Sequence, residues 1–110
     1  MISRHWRGLA NPAHADEYVQ HLRAETFPEL SKISGFIDAS ILRRNVRRGV
    51  EFLIVTTWES IEAIEHFAGR DSEIAVVPEK VQQMMLEYDR WARHYEVLTH
   101  AGRTRIPEVG

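Results

Sequence analysis

His94 and Tyr95 are neighbours near the end of the last strand-like stretch of the chain. Consecutive side chains on a strand point to opposite faces, so one of the two faces inward. An imidazole titrates near neutrality and can take a proton from a weak acid such as a phenol. His94 is therefore the first candidate for a general base. The competing reading is a hydrogen-bonded histidine of the fold or of an interface. Trp6, Trp58 and Trp91 offer flat surfaces against which an aromatic ligand could lie, or they are core. Trp58 precedes a good helix cap, Ser60, and staples that helix start more readily than it touches a ligand. Met84 and Met85 are adaptable fillers of a pocket or a core. Arg4, Arg7 and Arg93 fall within strand patterns. A buried guanidinium must be paired, so they bridge to Glu51, Glu96 or Asp38, or they receive an anionic group of a ligand. His21 with Glu25, and Glu62 with His66, are spaced to share a helix face. Two ligands do not hold a metal, and no metal is expected. Serine-nucleophile motifs, glycine-rich phosphate loops and dinucleotide fingerprints are absent.

The elements that must position these residues follow from pattern and punctuation. Ile2 to Ala10 alternates as a strand, closed by Asn11-Pro12. A helix is predicted from Ala13 to Leu30, with Tyr18, Leu22 and Leu30 on its buried stripe and a kink or stop at Pro28. Ser34-Gly35 leads into a strand over Phe36–Val46 and a hairpin partner over Val50–Trp58. Ser60 caps a helix with Ile61, Ile64 and Phe67 inside and Gly69 at its end. Asp71 or Ser72 caps a further turn to Val77. Pro78 starts a helix through Leu86, and Tyr88–Leu98 is the last strand. Residues 1–98 form one domain, and Thr99–Gly110 is read as a loose polar tail. This order gives an α+β, ferredoxin-like split βαβ fold: a four-stranded antiparallel sheet with helices on one face.

That architecture leaves one sheet face uncovered. Phe52 and Ile54 point one way along the third strand, Leu53 and Val55 the other; Ile37 and Ile41 stand against Phe36 and Leu42 on the second. Both faces carry apolar side chains, which implies a homodimer closing sheet on sheet. The 110 residues suffice for one core. The net charge of −2 and the lack of a basic excess argue against nucleic acid. Apolar runs such as Phe52-Leu53-Ile54-Val55 are far short of the roughly 20 residues of a membrane span. The chain has no cysteine, and a cytoplasmic location is expected. Arg43, Arg44, Arg47 and Arg48 crowd the hairpin, either as a solvated edge guard or as an anion site.

Trp6-Arg7-Gly8, Ala15 with Tyr18, Phe27-Pro28, Gly35-Phe36, Thr57-Trp58-Glu59-Ser60, Phe67-Ala68-Gly69, Ala75-Val76-Val77-Pro78 and His94-Tyr95-Glu96-Val97 occur in an order and spacing that resembles the antibiotic biosynthesis monooxygenase family. The resemblance implies a dimeric α/β barrel with a pocket in each protomer between helices and sheet. It also implies a small aromatic or quinone-like substrate, oxidised by dioxygen with no cofactor. On this reading the substrate wall is Trp6, Trp58, Phe67, Val77 and Met85, and His94 is the catalytic base. Heme-degrading relatives use an asparagine, a tryptophan and a histidine at positions that fall at Trp6, Phe67 and Val77; none matches, and a valine cannot ligate iron. A non-catalytic dimer that binds a hydrophobic metabolite is the alternative.

Overall fold

The computed structural model describes residues 1–102. Strand β1 (Ile2–Ala10) is central. It pairs antiparallel with β3 (Gly49–Trp58) along its whole length, and β3 pairs with β2 (Phe36–Val46). The other edge of β1 is shared by two short strands, β4 (Met85–Tyr88) against Gly8–Ala10 and β5 (Arg93–Glu96) against Ile2–His5. The sheet is five-stranded, with helical segments on one face: the ferredoxin-like arrangement. The expected single fourth strand is thus two, and it starts earlier than Tyr88. Helix α4 (Glu79–Gln82) ends after one turn instead of reaching Leu86. Asn11 N–H donates to the Met84 carbonyl, at 2.9 Å, which brings the following residues into register with β1. The segment between β4 and β5 leaves β1 because it has another partner. Ala75 N–H donates to Arg90 O and Ala92 N–H to Glu73 O, at 2.9 and 2.7 Å.

The first helical stretch is composite. A 3-10 turn at Pro12–His14, capped by Asn11, leads to α1 (Ala15–His21). A π-helical turn over Leu22–Thr26 follows, then α2 (Phe27–Leu30). Pro28 does not stop the helix. Its ring would clash with the Ala24 carbonyl in a regular helix, and the widened turn lies directly before it. Helix α3 (Ile61–Ala68) begins as expected, with the Ser60 hydroxyl accepting from Ala63 N–H. Beyond Gly69 a turn closes from Asp71 to Ile74, and the chain then runs extended to Pro78 without the regular turn expected up to Val77.

On β3, Val50, Phe52, Ile54, Thr56 and Trp58 are buried under the helices. Leu53 and Val55 face outward and are half-buried. Strand β2 corrects the expected pairing of faces. A bulge between Phe36 and Asp38 inserts Ile37 and inverts the alternation before it. Phe36 therefore packs edge-on against Trp58 on the helical face, together with Ile41, while Ile37 is exposed. The core has two adjoining clusters, one around Tyr18, Phe52 and Ile54, the other around Trp58, Leu30 and Ile64. Gly35, at φ 93°, brings the β2 approach against α3: a Cβ there would lie 2.6 Å from that of Ala63. Of the tail, Thr99–Gly102 has no regular structure; the remainder of the expected loose segment lies outside the described residues.

Candidate active site

A cavity of about 400 Å3 opens between the inner face of the sheet, the composite helix and α3. That is within the usual size of small-molecule sites. Its apolar wall comes from β1 and β3 (Trp6, Ile54), the composite helix (Tyr18, Leu22, Phe27) and α3 (Phe67). Its polar groups are Arg4, His21, Glu25, Thr26, Thr56 and His66, with Glu29 beside them.

Each wall residue is fixed by what lies behind it. The Trp6 indole folds back across Gly8, where a Cβ would sit 2.6 Å from the ring. Its Nε1–H donates to the Asp89 carbonyl at 2.8 Å. Phe67 stacks on Trp58, with centroids 6.1 Å apart and planes 21° from parallel. The guanidinium of Arg4 lies 5.8 Å over the Phe67 ring. Tyr18 meets Phe52 edge-on at 4.9 Å. Burial pushes the Tyr18 hydroxyl well above its ordinary range, so it stays a neutral donor and acceptor.

Arg4 is the buried charge of the site, 5% exposed. Its Nη1 donates to the Ser72 carbonyl and, at 2.7 Å, to His94 Nε2; its Nη2 donates to the Ile74 carbonyl at 3.1 Å. These acceptors are neutral. Burial lowers the Arg4 pKa to about 10, partly opposed by the nearby Glu73 carboxylate, and the group remains a cation at neutral pH. An arginine has no acceptor atom. His94 Nε2 must therefore offer its lone pair, and its ring is the neutral Nδ1–H form. Burial, then the Arg4 charge, hold the His94 pKa below its ordinary value.

The structure brings Trp6 and Phe67 together on the cavity wall. Trp58 is fully buried behind Phe67. Met85 packs against the core beside Gly8, and Val77 packs against the same core, while its neighbours Val76 and Pro78 line the cavity. His94 stands behind Arg4 and is not part of the wall. The composite helix adds a polar group to the cavity that the spacing of residues alone does not reveal. His21 Nδ1 lies 3.1 Å from Glu25 Oε2, and His21 Nε2 lies 3.2 Å from Thr26 Oγ1. Lys80 donates to the same Glu25 oxygen at 2.7 Å and holds its carboxyl below the usual carboxylate range. The spacing of His21 and Glu25 was visible; the approach of Thr26 needs the π turn. Among the described residues no three metal-ligating side chains cluster.

The model of the antibiotic biosynthesis monooxygenase family matches residues 1–75. The chain belongs to the antibiotic biosynthesis monooxygenase family. No curated protein matches its sequence. Among solved structures, a Bacillus cereus protein given as a candidate antibiotic biosynthesis monooxygenase is 22% identical, with a TM-score of 0.67 over 96% of this chain and 98% of its own. The ActVA-Orf6 monooxygenase of Streptomyces coelicolor, in complex with nanaomycin D, is 15% identical at TM-score 0.65, covering 94% of this chain and 92% of that one. The heme degrader MhuD of Mycobacterium tuberculosis, with two hemes in its active site, is 20% identical at TM-score 0.60, covering 93% and 100%. At these identities the structural likenesses speak for the monooxygenase-family fold and not for a substrate.

Proposed function

We propose that this protein is a cofactor-independent monooxygenase acting on a small aromatic, phenolic or quinol-like substrate. The observation that carries the reading is the cation of Arg4, buried beside an apolar cavity and bonded to neutral acceptors. A buried charge left without a bonded counterion is costly, and a phenolate or enolate in the cavity would supply one. Trp6 and Phe67 offer flat surfaces to its rings. Deprotonation makes such a molecule electron-rich enough to reduce dioxygen itself. For an anthrone-type substrate a CH2 group becomes C=O; one oxygen atom enters the product and the other leaves as water. The protein has to bind, orient, accept the first proton and exclude water from the anion. His94 contributes by holding Arg4 in place.

The working unit we propose is a homodimer joined through the outer sheet faces, where Leu42, Leu53 and Val55 are left partly uncovered. Burial of about 800 Å2 per partner would make an ordinary interface. A cytoplasmic setting suits the absence of cysteine. The test is dioxygen uptake with 1,8-dihydroxyanthrone, 1-naphthol and substituted hydroquinones, with products identified by mass spectrometry. Uptake on at least one, with quinone formed, is expected. No uptake on any, by protein that binds them, would leave the second reading: a non-catalytic carrier of a hydrophobic metabolite, favoured by the absence of His94 from the cavity lining. Heme degradation has least support, because Val77 carries no ligating atom and packs against the core instead of lining the cavity.

A further inference from the structure

We propose that His21 is the general base of this cavity, oriented by Glu25 and assisted by Thr26; the inference rests on the oxygenase reading above. The carboxylate of Glu25 can only accept, so the His21 ring nitrogen facing it, Nδ1, carries the proton. Nε2 is then a free lone pair that accepts from the Thr26 hydroxyl. A histidine held in one tautomer by a carboxylate, with its basic nitrogen toward a hydroxyl, is arranged to receive a proton. His94 has the opposite arrangement, since its basic nitrogen already accepts from a cation and protonation would set two positive charges 2.7 Å apart.

The backbone explains why these groups meet. Phe27 N–H bonds the Leu22 carbonyl five residues back, the π-helical spacing. In a regular helix His21 and Glu25 share a face, while Thr26 turns away from it. The widened turn stacks the residue five positions on, Thr26, over His21. The His21 side chain is only 9% exposed, so the base is shielded, whereas Glu25 is open to solvent and pinned by Lys80. His66 is the other imidazole on the wall. It is exposed, and no side chain among the described residues orients it.

In the proposed step an O–H or activated C–H bond of the substrate breaks and its electron pair stays on the substrate. The proton goes to His21 Nε2, and the resulting imidazolium keeps its Nδ1–H bond to Glu25. Thr26, released from Nε2, rotates its O–H toward the new anion. Without dioxygen the step reverses, so in D2O it exchanges substrate hydrogen for deuterium with no net oxidation.

The experiment is anaerobic deuterium wash-in at the methylene carbon of 1,8-dihydroxyanthrone in D2O, followed by mass spectrometry at saturating probe, beside aerobic oxygen uptake. Wild-type protein is expected to speed exchange, and His21→Gln to slow it at least about a hundredfold with probe affinity kept. His94→Gln, which loosens Arg4, is expected to weaken affinity and to lower the saturated rate by far less than His21→Gln does. His14→Gln, on the surface, is the unaffected control. Glu25→Gln, which can bond either tautomer, is expected to lower the rate about tenfold and to mix the tautomers in 15N spectra of the ring. The wild-type spectrum is expected to show Nδ1 protonated. Circular dichroism establishes that each variant is folded. Exchange that survives in folded His21→Gln overturns the assignment while leaving the oxygenase reading intact. Failure of the wild type both to exchange and to consume oxygen overturns both.

Discussion

Arg4 and Arg7 lie three residues apart on β1 and on opposite faces of the sheet, and their charges are handled in opposite ways. Arg7 looks outward and is neutralised: its Nε is 2.8 Å from Glu51, which also takes Arg44, and Glu87 stands at 3.8 Å. Arg4 looks inward, is buried, and is bonded to two carbonyls and an imidazole. The difference separates a charge paired with carboxylates at the surface from a buried one bonded to no carboxylate. Ion pairs as open as that of Arg7 contribute little to stability. A cation whose bonded partners are all neutral retains its attraction for an anion, and that attraction is strengthened by the low dielectric of the cavity.

The contrast between faces can be broken at several points. The largest effect is expected in packing. Phe52→Ala, on the inner face of β3, should cost about 3–5 kcal/mol in urea unfolding. Leu53→Ala, its neighbour on the outer face, should cost well under half as much and instead raise the dissociation constant of the proposed dimer, measured by analytical ultracentrifugation. Equal losses at the two positions would mean that the faces are not distinct. A smaller effect is expected at Gly8. Gly8→Ala would push the Trp6 ring off its seat, so binding of 1-naphthol, read by tryptophan fluorescence, should weaken about tenfold with little change in melting temperature. Unchanged affinity would remove Trp6 from the binding wall.

The smallest effect is a pH dependence. His94 and His5 both titrate below their ordinary 6.5 in the folded protein, chiefly through burial, with the Arg4 charge adding to the effect at His94. The unfolded chain therefore binds more protons between the folded and unfolded values. Stability is full above the unfolded pKa and declines as pH falls through 6.5 toward the folded values. Below both, no further loss comes from these groups. His94→Gln should flatten that decline in melts taken between pH 7 and pH 5. An unaltered slope would mean that His94 is not held neutral by its surroundings.

Much of the fold was legible because it rests on local signals: the alternation of β1 and β3, the Ser60 cap, and the Gly35 and Gly69 breaks. What escaped depends on distant partners. Nothing near Ile37 announces a bulge, and the inversion that carries Phe36 to the inner face is settled by Trp58 across the ladder. The break between β4 and β5 arises from Glu73 and Ala75, which are remote in sequence. In the site, Trp6 and Phe67 line the cavity, but the alternation of β1 alone does not say which face of the sheet the cavity takes. Val77 and Met85 pack against the core, while the neighbours of Val77, Val76 and Pro78, line the cavity; nothing in the extended run before Pro78 marks which of the three side chains does so. In the sequence His21 and Glu25 read only as an insufficient metal pair, because the widened turn that adds Thr26 leaves no mark beyond Pro28.

The availability of the Arg4 charge is tested most directly with a chromogenic phenol. Absorbance titration of 4-nitrophenol should be carried out below its free pKa, with wild-type protein and with Arg4→Met, Arg4→Lys and Arg7→Met. The phenolate band should grow on binding to the wild type and to Arg7→Met, be weaker with Arg4→Lys, and vanish with folded Arg4→Met, with at least about a hundredfold loss of affinity. Binding of the neutral phenol to the wild type, or an undiminished phenolate band with Arg4→Met, would contradict the account.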